Sequence, residues 1–193
     1  MRKYDNIYRL ITEPESLFIA WDIFKRDKRN KLDVAVFERN LEEHIFKLAR
    51  ELKDKTYEHG RYKGFWIRDP KLRRILKATV RDRVLHHAVF KVLNIVFEPT
   101  FIPTSFSCRI GKGTHKGVRY LYETIRKVSR NYTRPCFVLK CDVKKFFDSI
   151  DQEILFGIFK RKVVDPETQW LIERIITGFS VGARERERER ERE

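Results

Sequence analysis

The sequence predicts an α+β fold in which helices predominate. Apolar residues recur at helical spacing across residues 34–52, with Glu and Lys between them. Residues 59–75 are punctuated by Gly and Pro and are rich in strand-favouring side chains, which predicts a β-hairpin with its turn near Asp69 and Pro70. Residues 137–143 form a short, mainly apolar segment that is typical of a strand.

The helices up to residue 130 follow from periodicity and from stop signals. A helix is predicted over residues 13–25, ahead of a single amphipathic helix over residues 34–52. After the hairpin, a third helix over residues 80–97 is stopped by Pro99. A fourth helix is predicted over residues 114–130, behind a loop that contains two glycines.

The last elements surround the second strand-like segment. The strand over residues 137–143 leads into a fifth helix, for which Ser149 and Gln152 form an S-x-x-Q capping box. A sixth helix is predicted over residues 166–177 and is ended by Gly178, since glycine commonly follows the last helical residue.

The charge of the chain indicates a polyanionic partner. The 193 residues carry a formal net charge of +15, from 43 Lys and Arg against 28 Asp and Glu. Residues 184–193 alternate five Arg with five Glu, so the rest of the chain holds 38 basic against 23 acidic residues. Such an excess favours nucleic acid or an anionic membrane surface as the partner.

The strict alternation of Arg and Glu in residues 184–193 is what a translated purine dinucleotide repeat would give, and we expect the true coding frame to end near Val181.

Cysteine usage and the N-terminal sequence favour nucleic acid over membrane. Three cysteines, Cys108, Cys136 and Cys141, form no C-x-x-C pair, so a disulfide framework or zinc ribbon is not expected and a reducing cytoplasm is the default compartment. The N-terminal sequence MRKYDNIYRL has no apolar leader core, and no apolar segment reaches the length of a membrane span.

A basic cluster crosses the predicted hairpin and enters the following helix. Residues 61–91 contain ten Lys or Arg against two Asp, interleaved with Tyr62, Phe65 and Trp66. Cations that follow phosphates and rings that stack on bases are the two components of a nucleic-acid surface. A solvated basic face is the alternative. The ten residues are Arg61, Lys63, Arg68, Lys71, Arg73, Arg74, Lys77, Arg81, Arg83 and Lys91.

A second candidate segment precedes the fourth helix. The sequence RIGKGTH, residues 109–115, places two glycines and three basic side chains, Arg109, Lys112 and His115, around a helix start. Backbone amides at such a start can bind a phosphate, although the glycine spacing is not that of a Walker loop. A turn that simply leads into the helix is the alternative.

Asp142 follows an apolar segment and precedes two aromatic residues, Phe146 and Phe147. An ionised carboxylate is expensive to desolvate unless a cation compensates it. Asp142 is therefore expected either at the solvated end of a strand, with a salt bridge to Lys144, or as a ligand of Mg²⁺, which binds one or two carboxylates together with substrate phosphates.

Several ordered segments resemble reverse transcriptases. DVKKFFDSID resembles motif A of the palm, and RDRVLHHAVFKVLNIVFEPTFIPTSFSCRIGKGTHKGVRYL resembles the fingers blocks of the bacterial enzymes. The likeness is strongest to group II intron-like enzymes, especially those of diversity-generating retroelements. YDNIYRLITEPESLFIAWDIFKRDKRNK and VFERNLEEHIFKLARELKDKTY are also similar to that group, so the resemblance covers nearly all of residues 1–181.

The resemblance implies a catalytic role for the motif A residues. Asp142 and the Val143 carbonyl would bind catalytic Mg²⁺, and Phe147 would pack beneath the sugar of a dNTP. Arg73, with Lys71 or Arg68, would hold the triphosphate. The remaining predicted contacts, to an RNA template and an RNA–DNA hybrid, are Arg74, Arg81, Arg109, Lys112 and His115.

One departure from the family pattern changes the expected activity. The family's second metal element, a Tyr-x-Asp-Asp hairpin, has no counterpart, because the sequence contains no Asp-Asp pair. We therefore expect a helix-rich reverse transcriptase fingers region joined to a truncated palm, part of a right-hand polymerase, that lacks activity alone. The alternative is a non-catalytic basic RNA-binding module.

The predicted divisions are an N-terminal helical region (1–58), fingers (59–135), a partial palm with motif A (136–181) and a low-complexity tail (182–193).

Overall fold

A computed structural model describes residues 2–144 and 146–190. Residue 1 and the last three residues of the predicted tail, 191–193, lie outside the described part. The structure is mixed and helix-rich with a small two-stranded sheet, which confirms the α+β class. The elements are α1 (Tyr8–Thr12), α2 (Pro14–Phe24), α3 (Leu32–Arg39), α4 (Leu41–Lys53), β1 (Lys63–Arg68), β2 (Leu72–Lys77), α5 (Val80–Phe97), α6 (Thr114–Val128), α7 (Gln152–Lys160) and α8 (Pro166–Arg190).

The chain divides into two compact units, and the predicted four-segment division stays a prediction. The first unit contains the residues up to Val96 and those from Asp151 onward, and the second contains Phe97–Ile150. The core of the first unit is built from the apolar faces of α2, α4 and α5 with the start of α8, because each helix carries its apolar residues on one side. Its largest fully buried side chains include Leu17, Trp21, Phe24, Ile45, Leu48, Leu52, Leu85 and Leu171.

A buried carboxylate fastens the N-terminal segment to the start of α8. Asp165 Oδ2 accepts hydrogen bonds from the backbone N–H groups of Ile7 (2.9 Å) and Tyr8 (2.8 Å) and from the Thr168 hydroxyl (2.8 Å). Burial alone would raise the pKa of Asp165, but these donors lower it below its ordinary value because they favour the charged form. Two segments that are far apart in sequence are thereby held together.

The second unit is organised around a loop that folds onto α6. Gly117 lies against the Phe106 ring, where an added Cβ would meet a ring atom at 3.3 Å, so a small residue permits this close packing. The Gly113 N–H donates to the Phe106 carbonyl at 2.9 Å, and Phe106 also packs against Tyr120. Gly113 itself has a φ of 101°, which L side chains rarely adopt.

The hairpin and three of the predicted helices are confirmed, whereas the single helix over residues 34–52 is wrong. Helices α2, α5 and α6 match the predictions closely. The chain instead breaks at Asn40, whose φ and ψ of −120° and 41° are not helical. Asparagine favours such a position because its side chain competes with helical backbone hydrogen bonds. The Asn40 carbonyl accepts the His44 N–H at 3.0 Å, which begins α4.

The predicted caps near the C-terminus are also wrong. Asp151 rather than Ser149 caps α7, since its Oδ1 accepts the Ile154 N–H at 2.9 Å. Helix α8 continues past Gly178 to Arg190. At Gly178 an added Cβ would lie 2.7 Å from the Cβ of His59, so glycine here allows a close approach and does not end the helix.

The predicted strand over residues 137–143 is wrong. No residue of this segment has strand structure, and the only sheet of the described residues is the β1–β2 hairpin. A strand requires a neighbour to satisfy its backbone groups, and the described part of the chain supplies none here. Phe137 and Leu139 are 94% and 87% exposed as a result.

No helix within the described residues is long and apolar enough to cross a membrane.

Candidate nucleic-acid interface

The basic hairpin projects from the helical core as an exposed two-stranded ribbon. Strands β1 and β2 pair antiparallel with Trp66 opposite Arg74 and Ile67 opposite Arg73. All six β1 residues are exposed, including Phe65, Trp66 and Ile67. Aromatic side chains normally bury their rings, so their exposure beside cations marks a surface available to a partner.

The register separates the predicted cations between two faces. Side chains alternate along a strand and directly paired residues share a face. Arg68 and Arg74 therefore lie with Trp66 on one face, and Arg73 lies with Phe65 on the other. Lys71 lies in the exposed turn between the strands. The hairpin thus brings Arg68 and Arg74 to one face but does not bring Arg73 beside Arg68.

The base of the hairpin is fixed by a shared carboxylate. Asp33 Oδ2 of α3 contacts Lys77 Nζ at 2.7 Å and Arg83 Nη2 at 2.6 Å. Partial burial alone would raise the pKa of Asp33, but the hydrogen bond and charge of Lys77, with Arg83, lower it. Two members of the basic cluster are therefore paired with the same carboxylate within the fold.

A second, fully buried carboxylate organises the segment that leads into the hairpin. Asp82 Oδ1 accepts from the Tyr57 hydroxyl at 2.9 Å, and Oδ2 accepts from the Gly60 N–H at 3.1 Å and from the Thr79 hydroxyl at 2.5 Å. The Asp82 N–H in turn donates to Thr79 Oγ1 at 3.2 Å. These bonds join both ends of the hairpin to the first turn of α5.

Sequence reasoning did not single out Asp82, although a signal was present. Thr79 and Asp82 form a T-x-x-D pattern immediately ahead of an apolar helix, which is a capping-box signature. The bond from the Asp82 N–H to Thr79 Oγ1 that such a pattern predicts is present, and the Asp82 carboxylate accepts the Thr79 hydroxyl as well. The pattern does not predict Tyr57 and Gly60, which lie more than twenty residues away.

Three stacked rings lie beside this carboxylate. His59 stacks on Tyr62 with ring centroids 4.8 Å apart and on His86 at 5.3 Å. His59 Nδ1 donates to the Gly60 carbonyl at 2.7 Å, and the Nε2 atom of His86 is buried without a hydrogen-bond partner among the described residues. Burial, and secondarily the neighbouring His59, lowers the pKa of His86 to about 4.

We expect His86 to make the fold sensitive to acid. Because its folded pKa of about 4 lies below the ordinary 6.5, the unfolded chain binds a proton first as the pH falls. Stability should therefore decrease between pH 6.5 and pH 4, by about 2–3 kcal/mol at most. Urea unfolding at pH 7 and pH 4.5 would measure this loss. His86→Phe should reduce the loss, exposed His115→Phe should not, and equal losses in both variants would contradict the assignment.

Two predicted nucleic-acid contacts are engaged inside the protein. Arg81 Nη1 bonds to Glu51 Oε2 at 2.7 Å, and its guanidinium lies over the Tyr57 ring. Arg109 bonds through two nitrogens to Glu98 Oε1, at 3.0 and 2.8 Å, and through Nη1 to the carbonyls of Ile102 and Ser105. Their predicted contact with nucleic acid stays a prediction.

The rest of the RIGKGTH loop is only partly exposed. Lys112 Nζ donates to the Pro103 carbonyl at 2.5 Å and lies over the Phe106 ring. The Lys112 ammonium group therefore links this loop to the segment before it. His115, in the first turn of α6, is exposed. Of the three predicted contacts in this loop, His115 alone has an exposed side chain.

The predicted motif A residues are exposed and do not form a complete metal site with the described residues. Asp142, Val143 and Phe147 are all exposed, and no helix or strand contains Asp142 or Val143. No group of three or more His, Cys, Asp or Glu side chains within the described residues could hold a metal ion. Mg²⁺ requires a near-octahedral set of oxygen ligands, and these residues alone do not provide it.

Curated proteins that the chain is similar to include group II intron-encoded and intron maturase proteins. The chain is 24% identical over 180 residues to the group II intron-encoded protein LtrA of Lactococcus lactis subsp. cremoris, which covers 90% of this chain and 29% of the relative. It is 25% identical over 169 residues to nuclear intron maturase 4, mitochondrial, of Arabidopsis thaliana, covering 87% of this chain and 20% of the relative. Nuclear intron maturase 1, mitochondrial, of the same plant is 28% identical over 128 residues.

These relatives confirm the predicted resemblance in a coarse form. The chain is similar to group II intron-encoded and intron maturase proteins, and the diversity-generating retroelement type stays a prediction. No protein-family model matches the chain. The chain spans less than a third of the length of LtrA and of maturase 4.

Proposed function

We propose that this chain is the RNA-binding fingers and partial palm of a reverse transcriptase of the group II intron-encoded kind. The observation that carries the proposal is the exposed basic and aromatic hairpin, held by Asp33 and Asp82 on a helical core. The similarity to intron-encoded and maturase proteins supports an RNA partner. The proposed action is in the cytoplasm, on an RNA template and an RNA–DNA hybrid.

The proposed catalytic contribution is part of a nucleotidyltransferase site. Asp142 and the Val143 carbonyl would supply ligands to Mg²⁺, Phe147 would contact the sugar of a dNTP, and Arg73 or Lys71 would contact its triphosphate. RNA-directed DNA synthesis requires two metal ions held about 4 Å apart by further carboxylates. Those carboxylates would come from a polypeptide that carries the second metal element.

A non-catalytic RNA-binding module is the second candidate. It is favoured by the exposure of Asp142 and by the absence of a metal-holding cluster from the described residues. Both candidates require the hairpin to bind RNA, so RNA binding is the first property to test. Only the polymerase candidate requires Asp142.

We expect RNA binding that is strongly salt-dependent and has little sequence preference. Each phosphate that a cation neutralises should contribute about −0.7 to the slope of log affinity against log salt on single strands and about −0.9 on duplexes. Replacing Arg68, Lys71 and Arg73 together by Gln should reduce the slope by about 2, because these exposed residues would no longer release counterions. Filter binding at several salt concentrations would measure both slopes.

A matched control removes three exposed cations from a surface without a basic excess. Residues 32–54 contain six Asp or Glu against four Lys or Arg, so Arg39, Lys47 and Lys53 lie among acids. Replacing these three by Gln should leave the slope unchanged. An equal loss of slope in the control and the hairpin variant would indicate that only net charge matters, and a flat salt dependence of the wild type would remove the proposal.

A further inference from the structure

The turn that follows α6 has an unusual backbone. Arg130, Asn131 and Tyr132 have φ values of 48°, 58° and 66°, so three consecutive residues other than glycine are left-handed. L-residues normally visit this region singly, because Cβ crowds the following carbonyl. Strained conformations persist where the surroundings fix them, and they concentrate at ligand sites. The contacts that hold this turn must therefore be identified, and the turn is a candidate ligand site.

Hydrogen bonds around one buried serine account for its structure. Ser129 Oγ accepts the Tyr132 N–H at 2.9 Å, and the Ser129 carbonyl accepts the N–H groups of Thr133 (3.0 Å) and Arg134 (2.9 Å). The Arg126 carbonyl accepts the Asn131 N–H at 2.8 Å, and Arg126 Nε donates to Asn131 Oδ1 at 3.0 Å. The side chains of the turn are thus presented from a fixed backbone.

These side chains form a second basic and aromatic surface. Tyr122 and Tyr132 are 55% and 57% exposed, with ring centroids 6.4 Å apart. Residues 124–141 contain five Lys or Arg and no Asp or Glu. Exposed cations close to the rings in sequence include Arg126, Lys127, Arg130 and Arg134. None of these four belongs to the hairpin cluster or to the RIGKGTH loop.

We infer that this turn is a second binding site for single-stranded RNA. Tyr132, supported by Tyr122, stacks on an unpaired base, and Arg130 and Arg134 contact the flanking phosphates. The inference rests on the proposed RNA-binding function and adds a site to it. Single strands are the expected form because duplex bases cover one another's faces, whereas an exposed ring in a basic surface stacks on any unpaired base.

Stacking by Tyr132 can be separated from charge. Affinity for an unstructured 20-nucleotide RNA should fall by at least about fivefold in Tyr132→Ala, as expected for the loss of one base stack. Tyr132→Phe keeps the ring and should bind as the wild type does. An abasic oligonucleotide of the same length carries the same phosphates, so Tyr132→Ala should not change its affinity. Fluorescence anisotropy with a 5′-labelled strand would measure all three.

Phosphate contact is tested by a charge-matched pair of variants. Arg130→Gln with Arg134→Gln should reduce the salt slope on the same RNA by about 1.4. Lys47→Gln with Lys53→Gln removes two exposed cations from α4 and should leave the slope unchanged. Circular dichroism of each variant should match the wild type, since no side-chain bond of Arg130 or Arg134 holds the described turn together.

The outcomes distinguish the second site from the proposed function. If the turn variants bind RNA as the wild type does while the hairpin triple variant is weakened, the second site is wrong and the proposed function stands. If neither set changes RNA binding, the proposed function fails with it. If the turn variants change only sedimentation with phosphatidylserine vesicles, the surface binds anionic lipid and the inference is overturned.

Discussion

The purified chain is expected to extend no primer on an RNA template with Mg²⁺ and dNTPs. Asp142 and the Val143 carbonyl could give one ion two ligands, and the described residues bring no further carboxylate cluster to them. Without a second acidic element, nothing fixes two ions at the spacing of about 4 Å that in-line phosphoryl transfer requires. A primer end would also be poorly oriented, which removes the advantage of proximity.

The same chain should support synthesis when a second acidic element is supplied. A chimera that joins it to the remaining palm and thumb of a related reverse transcriptase should extend the primer, and Asp142→Ala should abolish extension while RNA binding persists. Glu153→Ala removes another exposed carboxylate and should leave synthesis unchanged. Extension by the chain alone that disappears in Asp142→Ala would instead demonstrate a complete active site here, and an active Asp142→Ala chimera would remove Asp142 from the catalytic machinery.

The elements predicted correctly from sequence are those with local causes. The hairpin turn near Asp69 and Pro70 follows from turn chemistry and from the strand-favouring residues on either side. Helix α5 follows from its apolar periodicity and ends just before Pro99, and α6 follows from the two-glycine loop ahead of it. In each case the signal lies within the segment itself, so the sequence alone is sufficient.

The wrong secondary-structure predictions arise where tertiary contacts decide the backbone conformation and the local sequence pattern does not. Gly178 is a good helix terminator, but here it lets α8 pass close to His59, a contact that sequence spacing does not reveal. Asn40 lies within a convincing apolar repeat, yet the chain leaves the helix at this residue. The segment over residues 137–143 has strand composition, but strand structure depends on a neighbour and not on composition alone.

Contacts between residues far apart in sequence also decide which cations of the candidate interface are exposed. Charge counts identify the basic cluster but do not show which cations are already paired. Lys77 and Arg83 share Asp33, and Arg81 is bonded to Glu51, so fewer charges are available than the sequence indicates. Three exposed cations, Arg68, Lys71 and Arg73, lie around the tip of the hairpin, and the proposed contacts concentrate there. Pairing across thirty or fifty residues cannot be inferred from local pattern.

The loss of one carboxylate should have the largest effect on stability. Asp82→Ala would leave the Tyr57 hydroxyl, the Gly60 N–H and the Thr79 hydroxyl without their acceptor, and Asp82 is 0% exposed, so water cannot readily replace it. Each buried donor left unsatisfied costs about 1–3 kcal/mol, and the loss of Asp82 should therefore cost about 3 kcal/mol or more. That is a large fraction of the roughly 5–15 kcal/mol of a typical protein.

Urea and thermal unfolding at pH 7 would measure the loss, which should lower the melting temperature by about 6–12 °C. Asp33→Ala is the matched control, because Asp33 also bonds the hairpin base but is partly exposed, with a side chain 40% accessible. Breaking such a solvent-accessible ion pair should cost about 1 kcal/mol or less. The hairpin would then be loosened in Asp82→Ala at temperatures where the core stays folded, and RNA affinity should fall there before global unfolding begins. Equal stability of the two variants would show that the Asp82 bonds do not hold the hairpin to α5.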